Sequence, residues 1–196
     1  MKLLVLGDSL TAGYGMLKRI AWTAQVARNL GATVFNRGIC GDTTAGMLAR
    51  LYREISETQP EYVLIWGGSN DVFLCHDCSY AKGNIAAMVQ QSVFYGVKPI
   101  LITPLPVEQY SMKPQWEKLI DPQKAEGLIA QYVTWIFDYS ESFQIPVIDC
   151  FHTFSAKIKN QNTSGLYLDG IHPNDHGHQI IAEQICNFFY STGLEK

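Results

Sequence analysis

Short β-branched and aliphatic runs alternate along the chain with longer segments of helical periodicity, and that alternation restricts it to βαβ units built on a parallel sheet. The predicted strands are Leu3–Leu6, Thr33–Asn36, Tyr62–Trp66, Pro99–Thr103 and Pro146–Asp149. The predicted helices run over Arg19–Leu30, Thr44–Thr58, Lys82–Tyr95, Pro122–Phe143 and Asn174–Tyr190. Strands with such continuous apolar runs are expected to be covered on both faces. The predicted fold class is therefore α/β, a doubly wound three-layer α/β/α sandwich around a five-stranded parallel sheet. With 196 residues, no internal repeat and no low-complexity tract, residues 1–196 are expected to form one domain. Two longer stretches, Asp71–Ala81 and Pro104–Asp121, read as irregular, and loops of that length are expected to be functional or mobile.

Composition bears on partners and compartment. Fifteen Lys and Arg against 18 Asp and Glu give a net charge of −3, so the basic surface that nucleic acid or an anionic membrane would need is lacking. No apolar run approaches the ~18 residues of a membrane span, and no integral membrane association is expected. Five Cys, an odd and sparse count, read as reduced thiols rather than a secreted disulfide framework. Only Met1 and Lys2 precede the first strand, and they do not make a signal peptide. The expected compartment is the cytoplasm, or the periplasm or exterior if a leader has been removed. The oligomeric state is not specified.

Ligands in open α/β sheets bind outside the carboxyl ends of the strands, so chemistry is sought just after each run. After the first strand comes Gly7-Asp8-Ser9-Leu10-Thr11-Ala12-Gly13. Gly7 permits a sharp exit, and Ser9 then opens a turn or helix where backbone N–H groups favour negative charge. Ser9 is a candidate nucleophile, with an N-cap role for Asp8 or Ser9 as the competing reading. Gly7, Gly13 and Gly15 fit neither the P-loop nor the dinucleotide spacing, which sets nucleotide binding aside. After the second strand, Gly38 and Gly41 permit close approach, and the Gly41 amide is a candidate oxyanion donor. After the third, Asn70 offers a neutral amide with two N–H groups, against the alternative of a turn-forming Asn followed by a capping Asp71. Near the C-terminus Asp169-Gly170-Ile171-His172-Pro173-Asn174 puts a carboxylate three residues before a histidine. One tight turn then lets Asp169 orient the imidazole while its other nitrogen faces a nucleophile.

Together these residues resemble the four sequence blocks of the SGNH hydrolases, also called the GDSL esterase/lipase family. Ser9 matches the block-one serine, Gly41 the block-two glycine, Asn70 the block-three asparagine, and Asp169 with His172 the D-x-x-H pair. The resemblance implies a flavodoxin-like sandwich and serine hydrolysis of esters or thioesters without cofactor or metal. It implies Ser9, Asp169 and His172 as catalytic triad, and Ser9, Gly41 and Asn70 as oxyanion hole. The opening Gly-Asp-Ser-Leu-Thr-Ala-Gly-Tyr-Gly is most similar to the bacterial branch of acyl-CoA thioesterases, lysophospholipases and arylesterases. Ser69 in block three follows smaller esterases and acetylesterases, so a carbohydrate acetylesterase is the alternative.

Other readings compete. An α/β-hydrolase shares the order Ser, Asp, His, but Gly7-Asp8-Ser9-Leu10-Thr11 lacks the second glycine of its nucleophile elbow. Asp169, His172, Asp175, His176 and His178 are close enough in sequence for a metal site, although a first-turn Asp with exposed His fits their spacing better. Cys75-His76-Asp77-Cys78 is a single C-x-x-C and reads as an ordinary loop. A small-molecule binding module with an idle Ser9 is the non-enzymatic alternative. Asn162-Thr163-Ser164 matches a glycosylation acceptor, which matters only in a secreted protein. The candidate substrate-binding residues are Met112, Trp116 and Ile171. The first two lie in the Pro104–Asp121 stretch, which with Leu105, Val107 and Tyr110 reads as an acyl-pocket wall, a lid or a cap on the sheet edge. The expected partner is a small neutral acyl ester or thioester.

Overall fold

β1 (Lys2–Gly7) lies inside the sheet, paired in parallel with β2 (Thr33–Gly38) on one side and β3 (Tyr62–Trp66) on the other. β4 (Lys98–Ile102) and β5 (Val147–Ile148) extend the β3 side, giving the order β2-β1-β3-β4-β5. The winding reverses at β1 and β3, where such a sheet opens a crevice for ligands. The computed structural model describes residues 1–161 and 165–194. The Asn162-Thr163-Ser164 motif lies outside the described residues.

The helices, in chain order, are α1 (Ser9–Ala12), α2 (Trp22–Leu30), α3 (Thr44–Thr58), α4 (Ser69–Cys75), α5 (Ser79–Phe94), α6 (Pro114–Glu117), α7 (Pro122–Phe143), α8 (Cys150–Gln161) and α9 (Asp175–Thr192). Successive strand side chains point to opposite faces, and the core divides accordingly. Leu4, Leu6, Val63, Ile65 and Leu101 face Met47 and Leu51 of α3, Met88 of α5 and Ile129 of α7. Leu3, Val5, Leu64, Trp66 and Ile100 face Trp22 of α2, Phe154 of α8 and Ile185 of α9. This is the three-layer sandwich the alternation predicts. β2 departs from the expected two-sided burial: as an edge strand most of it is half-buried. Among the described residues no helix is long and apolar enough to cross a membrane.

The larger boundary shifts have local reasons. The Asp71–Ala81 stretch is mostly helical, because Gly68 at φ 110° turns the chain straight into α4, while the Asp77 carboxylate accepts from the Ser79 backbone N–H and hydroxyl at the start of α5. The fifth strand stops at Ile148, because the Asp149 carboxylate accepts from the backbone N–H of His152 (3.1 Å) and opens α8, a helix the sequence reading did not include. The first long helix starts at Trp22 rather than Arg19, after Ala21 in an extended conformation. Within Pro104–Asp121 the chain forms a 3-10 turn at Gln109–Ser111 and then α6.

Candidate active site

β1 ends at Gly7, and Ser9 is already the first residue of α1. The Asp8 carboxylate caps that turn by accepting from Leu10 N–H (2.9 Å), and Gly13 closes it in the left-handed conformation. The side chain at position 9 is therefore held by backbone at both ends. Burial pushes the Asp8 carboxyl up to about 7, with Asp42 and Asp71 adding to the rise and the Leu10 N–H and His172 opposing it.

Asp169 and His172 sit on a turn closed by an antiparallel bridge between Tyr167 and Pro173 and by Leu168 N–H donating to His172 O (2.8 Å). Gly170 makes the turn at φ 90°, and a Cβ there would strike the Glu108 carbonyl and the Met112 backbone. Past the turn, Asn174 caps α9 by accepting from Gly177 N–H (3.1 Å). His172 Nδ1 lies 2.9 Å from Asp169 Oδ2 and 3.1 Å from Oδ1. An ionised carboxylate only accepts, so Nδ1 carries a proton, and in the neutral imidazole Nε2 then keeps its lone pair. That Nε2 stands 3.0 Å from Ser9 Oγ. All three residues are buried. Burial acts to raise the Asp169 carboxyl, but hydrogen bonds from the His172 ring and backbone and from Trp116 outweigh it, holding the group well below the usual carboxylate range.

The Pro104–Asp121 segment is fastened over this turn. Glu108 N–H donates to Gly170 O (2.8 Å), Lys113 N–H to Asp169 O (3.3 Å), and the Tyr167 hydroxyl to Pro106 O (2.7 Å). The Trp116 indole N–H donates to Asp169 Oδ2 (2.9 Å), and its ring lies 5.7 Å from the imidazole of His172. Tyr14 lies closer to that imidazole, with centroids 4.2 Å apart.

A cleft of about 150 Å³ opens at Ser9 and His172, and Gly41 and Asn70 also line it. Gly41 adopts φ 79°, a conformation that favours glycine. The Asn70 side-chain nitrogen donates one hydrogen to Asp42 O (2.8 Å) and has a second to offer. Phe73, Leu105, Val107, Trp116 and Ile171 provide the apolar wall, and none of the lining residues is Lys or Arg. Of the three candidate substrate-binding residues, Trp116 and Ile171 line the cleft. Met112 does not; it is buried in the core with its backbone against Gly170.

The residues weighed as a metal site disperse. Asp169 and His172 face each other, Asp175 and His176 are exposed, and His178, expected to be exposed, is fully buried, its Nδ1 accepting from Trp22 N–H (3.1 Å). Among the described residues no three His, Cys, Asp or Glu side chains converge as metal ligands would. Cys75 is exposed and Cys78 buried. Arg50, absent from the sequence reading, lies buried behind the cleft; Asp42-x₇-Arg50 carried no signal without the fold to bring the two together.

Comparison with known proteins gives the family and the fold. The family model described as GDSL-like lipase/acylhydrolase matches residues 5–180. The acetylxylan esterase of Geobacillus stearothermophilus is 26% identical, over 99% of this chain and 94% of its own length. Thioesterase 1/protease 1/lysophospholipase L1 of Escherichia coli K12 is 28% identical, over 92% and 79%. Among solved structures, a lipolytic protein of the G-D-S-L family from Veillonella parvula shares the fold at a TM-score of 0.82 and 17% identity, covering 97% of this chain and 98% of that one.

Proposed function

We infer the roles of individual residues from the premise that the chain belongs to the GDSL-like lipase/acylhydrolase family and is a serine hydrolase of carboxylic esters or thioesters. Ser9 Oγ attacks the acyl carbon while His172 Nε2 takes its proton. Asp169 fixes the imidazole tautomer and stabilises the imidazolium. The oxyanion is held by the backbone N–H groups of Ser9 and Gly41 and by the Asn70 amide. The imidazolium then protonates the leaving alcohol or thiol as its bond to the acyl carbon breaks. Water, deprotonated by His172, releases the acid from Ser9. The observation that carries this reading is the 3.0 Å approach of His172 Nε2 to Ser9 Oγ, with Asp169 2.9 Å behind Nδ1.

The cleft supports a small neutral acyl group. A cavity of about 150 Å³ lined by Leu, Ile and Phe admits benzene, and the wall here is of similar size and kind. With no cation in the lining, a polyanionic leaving group gains nothing at the cleft itself. The acetylxylan esterase similarity points the same way, toward acetyl esters. Five cysteines without a disulfide accord with a reducing compartment, the cytoplasm, and residues 1–196 act as one domain.

A fluorophosphonate probe tests the chemistry: it labels Ser9, and labelling is lost in Ser9→Ala and His172→Ala. Folded wild-type protein that resists labelling would point to the binding-module alternative. A series of p-nitrophenyl esters from acetyl to dodecanoyl, run beside acyl-CoA, tests the substrate class. The expected maximum lies at acyl groups of about six carbons or fewer, and a maximum at dodecanoyl would refute the short-acyl reading.

A further inference from the structure

Arg50 on α3 is a buried cation that touches no part of the cleft, yet it reaches two of the loops that form it. Its Nη2 donates to Gly7 O (2.9 Å), two residues before Ser9. Its Nε lies 3.0 Å and its Nη2 2.9 Å from Asp42 Oδ2, next to Gly41. The backbone carbonyl of that same Asp42 accepts the side-chain N–H of Asn70 (2.8 Å). One guanidinium therefore joins the strand-end loops of β1 and β2 directly, and that of β3 through one residue. Space is reserved for the arrangement: a Cβ on Gly46, in the first turn of α3, would run into the Asp42 carboxylate. Glu54 lies farther off, 3.8 Å from Nη1, which itself has no hydrogen-bond partner among the described residues. The guanidinium is thus committed chiefly to Gly7 and Asp42.

We propose that Arg50 is a positioning residue that sets the spacing of the three oxyanion donors, Ser9 N–H, Gly41 N–H and the Asn70 amide. This rests on the oxyanion assignment made above. Donors aimed at a developing oxyanion act within a few tenths of an ångström, and these three come from three separate loops. The fork of Arg holds the Gly7 carbonyl and the Asp42 carboxylate at once; the single ammonium of Lys on its flexible stem does not reproduce that fixed geometry.

Arg50→Lys keeps the charge and removes the fork. Its expected kcat on p-nitrophenyl acetate is ~10 to 100-fold lower, the loss that follows from small misplacement of reacting groups, with KM nearly unchanged. A charge-only structural role predicts instead that Lys restores kcat. The second measurement is a cycle with Asn70→Ala. If Arg50 acts through donor placement, the double variant loses less than the product of the two single losses, because a donor that is gone cannot be misplaced. Wild-type kcat in Arg50→Lys, or losses that multiply in full, would overturn the proposal. Should Arg50→Lys fail to fold, Asp42→Asn weakens the same clamp from the other side and is read by the same two criteria. Wild-type kcat in Asn70→Ala alone would instead remove the oxyanion assignment, so the two failures are distinguishable.

Discussion

Trp116 and Asp169, 53 positions apart, are joined by a 2.9 Å hydrogen bond from the indole N–H to Oδ2, the same carboxylate oxygen that lies 2.9 Å from His172 Nδ1. The segment after β4 thus contacts the proposed acid–base pair as well as forming part of the cleft wall. Trp116→Phe keeps an aromatic ring, smaller than the indole, and removes the donor. Hydrogen bonds to charged groups are worth about 1.5–3 kcal/mol, and Asp169 keeps its bonds to Ile171 and His172 backbone N–H, so a loss near the lower figure is expected. That corresponds to kcat/KM falling about tenfold, measured on p-nitrophenyl acetate, with the fluorophosphonate still labelling Ser9.

Asn70→Ala removes one proposed oxyanion donor and leaves the apolar wall intact. The expected result is a kcat lower by ~100 to 1,000-fold with KM little changed, as for other single oxyanion donors. Steady-state kinetics on the preferred ester separates the two parameters.

His178 makes stability depend on acidity. Burial lowers its pKa from 6.5 to about 4, with Asp175 opposing. The unfolded chain takes up a proton as pH falls through 6.5, while the folded chain refuses it until about 4, so folding stability is lost across that window. His178→Asn retains an acceptor for Trp22 N–H and removes the titration. Its melting temperature is expected to vary less than that of wild type between these two pH values, by thermal melts at fixed ionic strength.

Cys40 is an exposed thiol on the lining of the cleft, next to Gly41. Alkylation with N-ethylmaleimide places a bulky group at the mouth and is expected to abolish most ester turnover. Cys40→Ala resists the reagent, and a bound short-chain ester analogue slows inactivation of the wild type. Cys150, buried and with its thiol pushed well up by burial, is not expected to react in the folded protein.

The layered fold and the places of the candidate site residues were legible because both rest on period and punctuation. Apolar strands and helical spacing identified the sheet and the long helices, and Gly7, Gly41, Asn70 and the Asp169/His172 pair stand at strand ends or on a short turn. What was not legible depends on contacts between distant residues. Trp116 could be placed near the substrate by its loop, but not bonded to Asp169. His178 read as an exposed helix residue until α2 covered it through Trp22. Met112, apolar and on the same loop as Trp116, turns into the core instead of the cleft. α8 did leave a trace, with Asp149 as cap and Phe151, Phe154 and Ile158 at helical spacing, but it lay in the shadow of the strand expected to run through Asp149.

The bond between Ser9 and His172 spans 163 positions, and α9, which follows His172, docks on the α2 layer through Trp22 N–H and His178. On the ribosome Ser9, the proposed nucleophile, therefore emerges long before His172, its proposed base. On the proposed roles, a nascent chain holding β1 to β4 has the serine and the amide donors but lacks the imidazole of His172. With the proposed triad, full hydrolytic activity is expected only after the turn carrying Asp169 and His172 has left the exit tunnel and packed beside Ser9, late in the chain's synthesis.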